Sequence, residues 1–131
     1  MGTNYRAGKV VFDAVATVND GVVCDPVYVG QASRIGVIAA NTGANPINLT
    51  FEVSVNNQRS GGFNAVDPNW YGLHAINPAT GAAVQVTVLL ASGASKAIQL
   101  PDFAFNAIRA IATPVTPGAQ GEINASISHV S

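Results

Sequence analysis

The sequence predicts an all-β fold: an antiparallel two-sheet β-sandwich, jelly-roll or immunoglobulin-like, of about nine strands with no significant helix. Three observations predict it. Val (17), Ile (9) and Thr (8) outnumber Leu (5), Lys (2) and Glu (2); the first three suit pleated, half-buried surface and the last three build helices. Turn formers recur at short intervals, with 12 Asn, 13 Gly and 7 Pro, as in short strands joined by turns. No window holds a helical apolar period long enough to compete.

The strands follow in order. Val10 to Val18 and Val22 to Val29 flank Asn19-Asp20-Gly21, and Asp-Gly between apolar runs is a strong hairpin signal. Arg34 to Ala40 ends in the turn cluster Asn41 to Pro46. Ile47 to Val55 is the clearest strand, with Leu49, Phe51, Val53 and Val55 on one face and Thr50, Glu52 and Ser54 on the other. A long loop, Asn56 to Asn69, leads to a short strand, Trp70 to Ile76. After the turn Asn77 to Gly81 comes Ala83 to Leu90, with Val84, Val86 and Val88 on one face. Lys96 to Leu100, Ala107 to Thr113 and Glu122 to Val130 complete the set. Antiparallel pairing is expected, because no crossover helix is available. Phe51, Val53, Val55, Val84, Val86, Val88, Ile123 and Ile127 are the expected core.

A chain of 131 residues is expected to form a single domain, 1–131. Residues 1–9 form a possible flexible arm. They lack the apolar stretch of a signal peptide. Charged residues make up 10%, against about 25% in typical soluble domains. The net charge of −1 offers nothing to neutralise a phosphate backbone, so no nucleic-acid partner is expected. Runs long enough to span a bilayer as a helix are absent, so no membrane partner is expected either. Cys24 is the one cysteine, which excludes an internal disulfide and a cysteine-based zinc site; it reads as a small buried hydrophobe.

Little in the chain suggests catalysis. His74 sits in a strand and reads as a half-buried or rim residue; His129, near the C-terminus, reads as surface or frayed. The seven carboxylates fall in turns or on outward faces, so a glycosidase pair is not expected. Asn19, Asp20 and Asp25 make only a thin calcium pattern. No catalytic residue, cofactor or metal is therefore assigned. One constellation stays open in and beside the 56–71 loop: Arg59, Phe63, Asn64, Asn69, Trp70 and Tyr71. Aromatic faces beside amides and an Arg suit an interface or a sugar surface; equally, Trp70 can plug one end of a sandwich while the amides cap turns.

From Arg34 onward the layout resembles the small β-sandwich virion proteins of tailed bacteriophages. The stretches that carry the likeness are Asn45 to Val55, Trp70-Tyr71, Ala107 to Thr113 and Gly118 to Ser128. Together they span residues 34–130. The resemblance implies a head-decoration, head-fibre or tail-associated subunit used in many copies, and it assigns no functional residue.

Low charge points the same way. A free monomer normally covers itself with mixed charge, whereas a packed subunit replaces charge with apolar and small polar groups. Val10 to Ala16, Ile35 to Ala39 and Ile108 to Ala112 are apolar in both alternation classes, and a two-layer sandwich buries only one face per sheet. Two lysines in the whole chain also leave strand edges poorly guarded. The expected function is a non-enzymatic capsid-decoration subunit, assembled in the host cytoplasm into the virion. Its partners would be sister subunits and a major capsid or tail protein. The alternative is a carbohydrate-binding module that recognises a host surface glycan through the 56–71 loop.

Overall fold

The computed structural model describes residues 5–30, 34–55, 70–100 and 105–130. Twelve strand segments occur among them: β1 (Tyr5–Ala16), β2 (Val22–Val23), β3 (Val27–Tyr28), β4 (Arg34–Asn41), β5 (Ile47–Ser54), β6 (Tyr71–Gly72), β7 (His74–Ile76), β8 (Ala83–Gln85), β9 (Thr87–Leu90), β10 (Ser95–Leu100), β11 (Ala107–Pro114) and β12 (Glu122–Val130). No helix occurs among the described residues. The protein is all-β and β-sandwich-like.

The first sheet has the order β1-β12-β4-β10; the second runs β2-β11-β5-β6, with β3 also on β11 and β9 also on β5; β7 and β8 form a separate hairpin. Every pairing is antiparallel.

Between the two main sheets lies one core. The first sheet contributes Phe12, Ile35, Val37, Ala39, Ile123, Ala125 and Ile127; the second contributes Ile47, Leu49, Phe51, Val53, Leu90, Ile108, Ala110 and Ala112. Alternation explains the selection. In β4 every second residue is buried, as in β12 from Ile123 to Ile127, and in β5 the buried set is Ile47, Leu49, Phe51 and Val53, joined at the strand end by Ser54. Full burial of each large side chain contributes about 1.5–3 kcal/mol before conformational entropy is counted.

Nine expected runs become twelve segments because three of them break. The Val22 to Val29 run divides at Cys24, whose amide donates to the Ala110 carbonyl at 3.0 Å while its Sγ accepts the Ala110 N–H at 3.1 Å. Cys24 stays buried there. Trp70 to Ile76 divides at Leu73, and Ala83 to Leu90 divides at Val86. Leu73 donates to Phe51 and accepts from Val86, at 2.9 Å each, and this pair ties the β7–β8 hairpin to the second sheet.

Two expected core residues are not in the core. Val55 is 62% exposed and Val84 is 53% exposed. The alternation of β5 runs on in sequence past the end of the strand at Ser54, and Val84 sits on a hairpin with no sheet behind it. Val86 and Val88 are half-buried against the core, while Phe51, Val53, Ile123 and Ile127 are inside it. His129 is not frayed: it is half-buried in β12, opposite Arg6 and Ile35. His74 is exposed.

Residues 5–9, within the expected arm, form the start of β1, where Tyr5 and Lys9 lie opposite Val130 and Ile127. The register of β1 shifts three times, between Arg6 and Lys9, between Val10 and Phe12, and between Phe12 and Val15. The second shift turns Val10 outward and Phe12 inward, although they are two residues apart. At the third, Ala14 adopts φ 52° and its N–H is held by Asn124 Oδ1 at 2.9 Å. An extra residue re-aims a strand in this way.

Candidate functional site

Two surfaces merit attention. On the second sheet, Phe51 and Val53 point inward, so Glu52 points outward. Glu52 lies opposite Arg109 on β11 and opposite Gly72 on β6. Arg109 donates to Glu52 Oε1 from Nε at 2.8 Å and from Nη2 at 2.6 Å. Its guanidinium carbon also sits 4.4 Å from the ring centre of Trp70, within range of a cation–π contact. One face of Trp70 is therefore covered by protein.

Tyr71, the next residue, lies opposite Val53 and is 63% exposed. It borders a pocket of about 310 Å³ lined by Val53, Val55, Tyr71, Gly72, Leu73, His74 and Phe105. His74 Nδ1 is 3.0 Å from the Gly72 carbonyl. The lining is almost wholly apolar and suits an apolar side chain better than a polar substrate. Beyond it the β7–β8 hairpin carries Ile76, 66% exposed, and Val84. A lone two-stranded ribbon is marginal in water.

Of the residues singled out in the sequence, Arg59, Phe63, Asn64 and Asn69 lie outside the described residues. Trp70 and Tyr71 are adjacent in the chain but serve different surroundings: Trp70 covers Arg109, and Tyr71 walls the pocket. Glu52 and Arg109 were missed. Only the β5–β11 register brings them together, and sequence alone does not supply it. No group of three or more His, Cys, Asp or Glu placed to hold a metal occurs among the described residues.

The second surface is the outer face of the first sheet. Its central row runs Val10, Ser126, Ile38, Ala97 across all four strands. One neighbouring row is Asn124, Ala40, Ser95; the other is Ser128, Gly36, Gln99. Gly8 packs beside Ser126 and Ser128. None of these side chains is charged. Val10 and Ile38 are 62% and 66% exposed, so apolar character in both alternation classes does leave apolar side chains outside. Among the described residues, charge lies at the two ends, as Glu122 on β12 and Arg34 on β4, and on the outer strand β1, where Asp13 is exposed beside Ala14. The chain's two lysines sit on the two outer strands, Lys9 on β1 and Lys96 on β10. Each edge of this sheet is thus guarded by one Lys, better than their number suggests.

No protein-family model matches the chain, and no curated protein sequence does. Solved structures do. The chain resembles PirA in fold. The crystal structure of PirA aligns with a TM-score of 0.52 at 14% identity, over 96% of this chain and 97% of that one. A structure described under "Bacillus endospore appendages form a novel family of disulfide-linked pili" aligns with a TM-score of 0.43 at 17% identity, over 95% of this chain and 88% of that one. At such identity the PirA likeness is one of architecture.

Proposed function

We propose that this chain is a non-enzymatic structural subunit of a tailed-bacteriophage virion, decorating the exterior of the capsid and held there by many weak contacts. One observation carries the reading: large apolar side chains stand more than half exposed on two separate surfaces. Val10 and Ile38 occupy the outer face of the first sheet; Val55, Tyr71, Ile76 and Val84 occupy the hairpin end. Scattered exposed apolar residues are ordinary, but grouped ones mark contact sites. A chain with 10% charged residues has little else with which to keep such surfaces apart. Two contact surfaces per subunit let a lattice grow, and multivalency turns modest contacts into firm attachment.

The strand order favours the jelly roll over the immunoglobulin arrangement. Counting β2 with β3, and β6 with β9, gives eight positions in two four-stranded sheets, an architecture used by viral capsid and lectin domains. That association with capsids is an analogy of fold.

The test is binding to particles. Purified chain added to virions stripped of it should occupy fixed lattice positions in cryo-electron microscopy. Chain that stays in the supernatant of intact and stripped particles alike sinks the proposal. Glycan recognition is the competing outcome: a glycan-array signal abolished by Trp70→Ala would favour it. Trp70 has only one ring face left for a sugar, which weighs against that outcome.

A further inference from the structure

We propose that the outer face of the first sheet is a self-complementary interface that takes a second copy of this chain, turned end for end. The inference rests on the structural-subunit reading and names the partner of one of its two surfaces.

The ends of the face supply the geometry. Ser126 and Ile38 lie opposite each other in the central row. Glu122 is four residues from Ser126 toward one end of the sheet, and Arg34 is four residues from Ile38 toward the other, where it lies opposite Val130. Glu122 and Arg34 are therefore equidistant from the central row, about 13 Å away on either side. Strands β12 and β4 are neighbours, so the two charges are offset sideways by only about 5 Å.

A two-fold axis along the central row, in the plane of the interface, brings the face onto itself with its strands reversed. Ile38 then meets Ile38 of the partner subunit. Glu122 meets Arg34 of the partner subunit, and the same pair recurs at the other end. An axis along the strands would instead set Glu122 against its own copy. Like charges across an interface are disfavoured, so the end-for-end arrangement is selected. Such an isologous contact is also the commonest form of closed assembly.

Shape and area agree. Gly8, Gly36, Ala40, Ala97, Ser126 and Ser128 keep the face low, so two copies can approach to the usual spacing of about 10 Å between packed sheets. Four strands wide and eight residues long, the face covers about 500 Å² per copy, or about 1,000 Å² for the pair, at the lower bound for a specific interface. A weak dimer follows, suited to a lattice. The edge lysines favour the face over edge-to-edge pairing, since Lys9 and Lys96 resist strand addition.

The experiment uses the full chain in sizing with light scattering, with circular dichroism confirming the fold of each variant. The wild type should give twice the chain mass at high concentration and dissociate on dilution. Ile38→Arg should remain folded and monomeric. Arg34→Glu should weaken the dimer by about tenfold or more through like-charge contact, and adding Glu122→Arg to it should restore association. Ile38→Cys should be captured as a dimer by a short bis-maleimide crosslinker, whose span suits the spacing of packed sheets, whereas Leu89→Cys, on the other sheet, should not. A wild type that is monomeric at every concentration overturns the inference. So does a dimer indifferent to Ile38→Arg, or a charge reversal that the second substitution fails to rescue. None of these outcomes touches particle binding by the wild type, which decides the structural-subunit reading separately. A monomer whose particle binding is lost in Ile38→Arg would assign the face to the shell instead.

Discussion

Arg109 is held from two sides: its guanidinium carbon lies 4.4 Å from the Trp70 ring centre, while Nε and Nη2 both reach Glu52 Oε1. The aromatic ring shelters an ion pair whose side chains are 28% and 27% exposed. Solvent screens much of such a pair, so Arg109→Met should cost only about 1 kcal/mol in urea unfolding. The sharper readout is Trp70, the single tryptophan. Its fluorescence should change in the folded Arg109→Met protein. An unchanged spectrum would mean that the stacked arrangement is not populated in solution.

Asn41 should be among the most sensitive positions in the protein. It is 1% exposed, and its amide bonds are all internal. Nδ2 donates to the carbonyls of Asn45 at 2.7 Å and Leu90 at 3.1 Å, and Oδ1 accepts from Gly43 at 2.9 Å and Glu122 at 3.3 Å. One side chain thus ties together β4, its following turn, β9 and β12. Asn41→Ala leaves these partners without it and should cost about 2–4 kcal/mol. Asn41→Asp should be no better, since a carboxylate cannot donate to two carbonyls. Urea midpoints of the two variants would settle the order.

Gly121 and Gly81 separate two reasons for glycine. A Cβ on Gly121 would lie 2.5 Å from Ile47 Cγ2 and 2.7 Å from the Asn45 carbonyl oxygen, in a buried position. Gly121→Ala should cost about 2–3 kcal/mol through overpacking. Gly81 has φ +72° and nothing near its Cβ position; Gly81→Ala should cost about 1–2 kcal/mol from the backbone alone. Thermal melts of the pair should rank them in that order, and equal shifts would contradict the crowding at Gly121.

Alkali should destabilise the fold through Cys24. Burial pushes its thiol above the ordinary 9.0, the largest of several effects. The sign follows from proton counting. Near pH 9 the unfolded thiol releases its proton while the folded one keeps it, so stability is full below that pH and falls as pH rises through the folded value. Tyr28, raised above 10.0 by burial, adds a similar loss at higher pH. Melting temperatures measured from pH 8 to 10.5 should fall more steeply in the wild type than in Cys24→Ala. Parallel slopes would remove Cys24 from the account.

The fold class was legible because alternation and composition are local properties. Leu49, Phe51 and Val53 read directly as one inward face, as did Ile123 and Ile127. Val55 and Val84 did not, since burial requires a neighbour that the alternating pattern cannot reveal. Cys24 interrupts a strand through a sulfur–amide bond, which composition does not announce. The pairing of Glu52 with Arg109 depends on register between strands more than fifty residues apart. Apolar character in both alternation classes of Val10 to Ala16 and Ile35 to Ala39 did signal surplus apolar surface. In β4 plain alternation leaves Ile38 outside, whereas in β1 the outward residues were decided by an irregular register, which no residue type advertises.

The placement of β12 has a kinetic consequence. The last described strand lies between the first and the fourth, and β11 likewise lies between β2 and β5. During synthesis neither sheet can close until these late strands emerge, so β4 and β5 must wait with open flanks. Partners so remote in sequence imply slow folding. A nascent chain halted before β11 should therefore stay protease-sensitive on the ribosome, and protection should arrive abruptly once β12 clears the exit tunnel.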